Sequence, residues 1–173
     1  LAGGQYPTQP PALPPLVVDA DGLKLLARLS SWPALLPKNT VLTPHPGEMS
    51  ILTGLPRDEI QANRLEIARR YSRDWGHVVV LKGAFTVIAA PDDRAAVIPV
   101  ASPALARAGS GDVLAGMIVG LLAQCVPPYE AALAGAWIHA QAGVRAAEAL
   151  GNSASVMAGD LIEGLIDTLA LLA

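Results

Sequence analysis

Five short aliphatic runs set the frame of this chain: LVV at 16–18, TVLT at 40–43, HVVVL at 77–81, TVIAA at 86–90 and AAVIPV at 95–100. The runs at 16–18 and 77–81 read as short buried strands, and the other three as strands. Helical stretches separate the first three, the last three follow one another directly, and three helical stretches close the chain. That order predicts an α/β domain with a mainly parallel sheet and helices on its faces. Asp21 reads as the cap of a helix over 22–31, and a short helix should end near Gly54. Arg57 to Trp75 reads as one amphipathic helix with Ile60, Ile67 and Tyr71 inward and Arg64, Glu66 and Arg70 in water. Val113 to Ala123 is apolar almost all round and reads as a buried helix. Small residues along 129–150 suit close helix packing, and a last helix over 157–172 carries Leu161, Ile162, Leu165, Ile166 and Leu169 on one face.

Composition narrows the class. The 173 residues fit one domain; hydrophobic content is 52% but aromatic content only 4%, so the core must be aliphatic and alanine-rich. A net charge of −3 offers no broad basic surface for nucleic acid. Cys125 is the single cysteine, which rules out an intrachain disulfide framework or a cysteine metal cluster and points to a reducing, cytoplasmic setting. No stretch reaches the ~18 apolar residues of a membrane span, and no signal peptide is visible. Residues 1–15 carry five prolines and read as an extended lead or linker, leaving 16–173 as the folded domain. The chain begins at Leu1, and an N-terminal part of a larger domain is expected to be missing or to lie on another chain.

The residues able to do chemistry stand at the ends of these elements. Gly109-Ser110-Gly111-Asp112 precedes the apolar helix, where unpaired N–H groups and the positive end of the helix dipole meet. Two readings stand on these residues alone: an ordinary capped helix, or an anion-binding turn with Asp112 as a base beside it. His45 sits in Pro44-His45-Pro46-Gly47-Glu48 after the second strand, held by two prolines, either structural or functional. Lys82-Gly83-Ala84-Phe85-Thr86 follows the third; its lysine suits a phosphate, or is a plain solvent-facing hairpin residue. Asp19 ends the first strand and is left open. His139 reads as a hydrogen-bonded structural histidine. Strand ends are where open α/β sheets gather ligands, so these motifs could converge on one edge.

Taken in order, VVDADGL, LTPHPGEMSILTG, VVLKGAFTVIAAP, AGSGDVLAGMIVGLLAQ, HAQAG and SVMAGDLI resemble the C-terminal two-thirds of the NAD(P)H-hydrate dehydratases, from about Leu16 onward. The resemblance implies a ribokinase-like three-layer α/β/α sandwich, N-terminally incomplete here. It implies that hydrated NADH or NADPH loses water at the expense of ADP or ATP with Mg2+, in nicotinamide nucleotide repair. By the same resemblance Asp112 is the base, Gly109, Ser110 and Gly111 form the anion hole, and His45 and Asp112 touch the hydrated nucleotide. Lys82, Gly83, Ala84, Phe85, Thr86 and Gly111 hold the adenine nucleotide, and Glu48 supports the metal through water. It further implies a homo-oligomer and leaves room for a missing N-terminal segment or a fused epimerase domain. The chain departs from the pattern at Ala101-Ser102-Pro103, where the family carries GNP, and in lacking glycine-rich segments before VVDADGL. Two other readings compete: a ribokinase-like kinase acting on a vitamin-precursor alcohol, and a non-catalytic nucleotide-binding fragment.

Overall fold

The structure, a computed structural model, describes residues 13–172; most of the 1–15 lead lies outside them. In chain order the elements are β1 (Val17–Val18), α1 (Ala20–Leu26), a 3-10 turn (Trp32–Leu35), β2 (Val41–Leu42), α2 (Pro46–Thr53), α3 (Arg57–Ala62), α4 (Arg64–Trp75) and β3 (Val78–Leu81). Then follow β4 (Val87–Ala89), β5 (Ala95–Val97), a 3-10 turn (Pro103–Leu105), α5 (Ser110–Ala123), α6 (Pro128–Ala149) and α7 (Ala158–Ala170). The strands lie in chain order across one sheet. β1, β2 and β3 are parallel, with Val17 beside Val41 and Val41 beside Val78; β4 and β5 continue the sheet as an antiparallel meander. The parallel half needs helical crossovers and the antiparallel half only turns, as the spacing of the apolar runs dictates.

The two-residue period of the strands sorts the core into layers. Val41, Val78, Val80 and Ile88 meet Leu114 and Ile118 of α5 and the alanines of α6 on one face. Val79, Leu81, Val87 and Ala89 meet Met49, Ile60, Ile67 and Ala68 of α2 to α4 on the other. The alanine-rich α6 can lie close because its neighbours leave no room for side chains: a Cβ on Gly135 would come within 2.8 Å of Ile118, and one on Gly143 would enter Leu105.

Four expectations change. Asp21 is not the cap of α1: Asp19 holds the N-cap position, Asp21 lies in the first turn beside Lys24, and the helix stops at Leu26, short of the expected 31. The stretch 57–75 is two helices, because Asn63 leaves helical geometry at φ −127° and ψ 35°. That break turns Arg64 inward, where it donates 2.7 Å to the carbonyl of Leu81 instead of facing water. α5 is buried only along Ser110, Leu114, Ile118 and Leu122; Val119 is exposed, since the sheet and α6 cover one stripe. On α7 the covered stripe is Leu161, Gly164 and Thr168, chosen by the fit of Gly164 against the Ala142 carbonyl, and Ile162, Ile166 and Leu169 are exposed.

Candidate active site

The loops leaving β2 and β3 and the turn entering α5 open onto one cavity of ≈ 620 Å³. His45, Lys82, Gly83, Ala84, Thr86, Ser110 and Gly111 line it together, although they come from segments far apart in sequence. The backbone explains the convergence. Parallel pairing aligns the C-terminal ends of β2 and β3, and the N–H of Lys82 donates 2.8 Å to the carbonyl of Pro44, joining the two loops. Across the cavity the wall is Val100 to Pro103, Leu105, Ala106 and Arg107.

The turn into α5 is shaped by Gly109, whose φ of 84° is a left-handed conformation that glycine adopts without steric cost. Ser110 is tied down twice: its N–H bonds the carbonyl of Arg107 at 3.1 Å and its hydroxyl donates 2.8 Å to the carbonyl of Leu105. Ser110 therefore braces the turn, and its N–H is not a free donor for an anion. The N–H groups of Gly109, Gly111 and Asp112 have no protein partner among the described residues. Asp112 is exposed in the first turn, beside the cavity rather than in its lining. His139 of α6 is buried beneath the turn, 2.9 Å from the Ser110 carbonyl. A carbonyl accepts, so Nε2 carries the proton. Burial pushes this imidazole down to about 4, with Lys82 adding repulsion to a second proton, so His139 is neutral near neutral pH.

His45 does structural work as well as facing the cavity. Its Nδ1 accepts from the N–H groups of Gly47 at 2.9 Å and Glu48 at 3.1 Å, capping α2. Glu48 returns the bond, its Oε2 accepting from the His45 N–H at 2.9 Å, which completes a capping box. Glu48 is buried, with Oε1 3.3 Å from His45 Nε2 and Oε2 3.9 Å from Lys82 Nζ. Lys82 in turn is 2.6 Å from Asp19. Lysine, two carboxylates and the α5 turn thus form one connected base to the cavity.

Not every expected site residue lies in the cavity wall. Phe85 is exposed with φ 56°, at the outer edge of its loop, and Glu48 and Gly109 support the wall from behind. Sequence reading passed over Arg107, which donates 2.6 Å to the Ala154 carbonyl and lines the cavity, and the 100–106 wall. The single signal for that wall was the Ala101-Ser102-Pro103 segment itself. Ser102 there accepts the N–H of Ala104 and caps the 3-10 turn. Among the described residues no helix is long and apolar enough to cross a membrane.

The chain is similar to known proteins over most of its length. Residues 10–167 match the family model of the NAD(P)H-hydrate dehydratases. The chain is 49% identical over 151 residues to the bifunctional NAD(P)H-hydrate repair enzyme Nnr of Moorella thermoacetica, covering 87% of this chain and 28% of that protein. It is 43% identical over 149 residues to the ADP-dependent (S)-NAD(P)H-hydrate dehydratase of Neisseria meningitidis, covering 85% of this chain and 50% of the relative. The crystal structure of the ADP/ATP-dependent NAD(P)H-hydrate dehydratase from Bacillus subtilis, co-crystallised with ATP/Mg2+ and soaked with CoA, superposes with a TM-score of 0.78 at 33% identity. That match covers 92% of this chain and 57% of the solved one. A hydroxyethylthiazole kinase from Pyrococcus horikoshii shares the fold at 21% identity and a TM-score of 0.67. The chain spans half or less of the length of these two curated relatives, and across that span it belongs to the NAD(P)H-hydrate dehydratase family of ribokinase-like α/β proteins.

Proposed function

We propose that this chain carries the nucleotide side and the phosphoryl-transfer base of an enzyme that returns hydrated NADH or NADPH to the reduced cofactor, using ADP or ATP. The observation that carries the reading is the meeting, in one cavity, of the Lys82–Thr86 loop, His45 and the glycine turn of α5. Lys82 and the free N–H of Gly111 supply positive charge where phosphate oxygens would sit, in a site partly screened from water. Asp112, exposed at the rim, would take the proton of the C6 hydroxyl as its oxygen attacks the terminal phosphorus of the donor. The donor leaves one phosphate shorter. Loss of the new phosphate from C6, with loss of a ring proton, restores the carbon–carbon double bond and so completes the removal of water. His45 faces the hydrated nucleotide from the opposite loop.

Among the described residues no group of three His, Cys, Asp or Glu side chains is placed to ligate Mg2+ directly, and the carboxylate near the site with the hard oxygens that ion selects is Glu48. Those oxygens already meet His45, with Lys82 at 3.9 Å, so Glu48 would support the ion through water rather than by direct ligation. When bound, the ion supplies neutralisation of phosphate charge. The lyase class, a cytoplasmic setting, a homo-oligomer and completion of the substrate pocket by a further segment belong to the same proposal. Titration of the purified chain with ADP, in the presence of Mg2+, tests it. Saturable binding that raises the unfolding midpoint supports the reading, and no stabilisation at millimolar nucleotide opposes it.

A further inference from the structure

Asp19 is the one chemistry-bearing residue at these strand ends for which the function above has no use, and its surroundings are unusual. It stands at the N-cap position of α1, where aspartate ordinarily bonds a helix N–H, yet its side chain makes no capping bond. The next residue, Ala20, has φ 51°, a left-handed conformation that costs a non-glycine residue energy. The chain thus forgoes a cap and accepts strain, and the carboxylate turns from its own helix toward β3. There it accepts from Lys82 at 2.6 Å, with both side chains more than four-fifths buried. The pair lies directly against the α5 turn: a Cβ placed on Gly111 would be 3.3 Å from Lys82 Nζ and 3.4 Å from Asp19 Oδ2. Glu48 stands behind at 3.9 Å.

We infer that Asp19 is a positioning residue that holds the Lys82 ammonium beneath the first turn of α5. A lysine side chain has four rotatable bonds, and fixing it against Gly111 removes the entropy that a bound phosphate would otherwise have to supply. The hold also keeps the charge at the cavity floor, where it adds to the helix dipole instead of dispersing into solvent. Gly111 is the residue whose lack of a side chain leaves the pair this place. The inference rests on the nucleotide reading of the cavity, and two readouts separate it from that reading.

The first is the rate at which an amine-acylating reagent labels Lys82, measured by mass spectrometry on the full chain with exposed Lys38 as internal reference. Lys82 should label several-fold more slowly than Lys38 in the wild type, and Asp19→Asn should close most of that gap. The second is ADP affinity in a cycle of wild type, D19N, K82M and D19N/K82M, with unfolding midpoints confirming that each variant folds. Loss of one charge-assisted bond predicts about tenfold weaker ADP binding in D19N, and no further loss when it is added to K82M. Lys82 labelling as fast as Lys38 in the wild type, or unaffected by D19N, overturns the inference while nucleotide binding stands. So does an equal cost of D19N in both backgrounds, the signature of a residue that merely supports the fold. A wild type that binds no ADP overturns the nucleotide reading and Asp19's role in it together, even where the labelling shows Lys82 held.

Discussion

His139 offers the most quantitative handle on the site. It is buried under Ser110 with its imidazole pushed down to about 4, against an ordinary value of 6.5 in the unfolded chain. Between those values the unfolded chain binds more protons, so stability falls as pH drops through 6.5 and levels off below 4. A depression of about 2.5 units at 1.36 kcal/mol each corresponds to about 3 kcal/mol in total, of which about 2.5 kcal/mol is lost between pH 7 and about pH 4.5. His77 is also pushed down by burial and contributes with the same sign, so the wild type alone cannot isolate His139. His139→Gln can, because glutamine keeps an N–H for the Ser110 carbonyl but does not titrate. Urea unfolding followed by circular dichroism at both pH values should show the variant losing about 2.5 kcal/mol less than the wild type, with unchanged slopes. Parallel pH dependence in the two proteins would refute a buried neutral imidazole beneath the turn.

Three further outcomes follow from the geometry. Asp112→Asn should cut turnover of the hydrate by about 10²–10⁴-fold while ADP titration is unchanged, since its proposed role is on the hydroxyl proton and not on the nucleotide. His45→Ala removes the acceptor for the Gly47 and Glu48 N–H groups and should cost about 1 kcal/mol in chemical denaturation, besides weakening hydrate binding. Gly164→Ala drives a methyl into the Ala142 carbonyl and should cost about 1–3 kcal/mol, whereas Gly116→Ala, with open space at its Cβ, should leave stability level or raise it by up to about 1 kcal/mol.

The alternation of strands and helices was legible because hydrophobic period and glycine or proline stops are local signals. Gly54 and Gly76 end α2 and α4 in left-handed geometry as such stops should. What escaped were choices made by partners distant in sequence. Asp19 and Asp21 look alike on paper; only the parallel pairing that brings β1 beside β2 and β2 beside β3 gives Asp19 its lysine, across 63 positions. Arg64 looks solvated on a continuous helix and turns inward only because the chain breaks at Asn63. The apolar excess on α5 and α7 could not be divided into covered and uncovered stripes without knowing that Gly164 fits against Ala142. In the site, motif spacing led to His45, Lys82 and the α5 turn. The opposite wall at 100–107 showed only as the Ala101-Ser102-Pro103 departure, because its contribution is shape and a single arginine.

In the proposed function the cavity joins a nucleotide-binding loop to a base that acts on the hydrated ring. The pairing is tested by incubating the protein, with the segment that completes its substrate pocket present, with hydrated NADH, ADP and Mg2+ and following the absorbance of the reduced nicotinamide, with Asp112→Asn in parallel. Recovery that requires ADP in the wild type, and is lost in a variant that still binds ADP, is the predicted result. ADP binding without any recovery, or recovery at an undiminished rate in the Asp112→Asn variant, would contradict it.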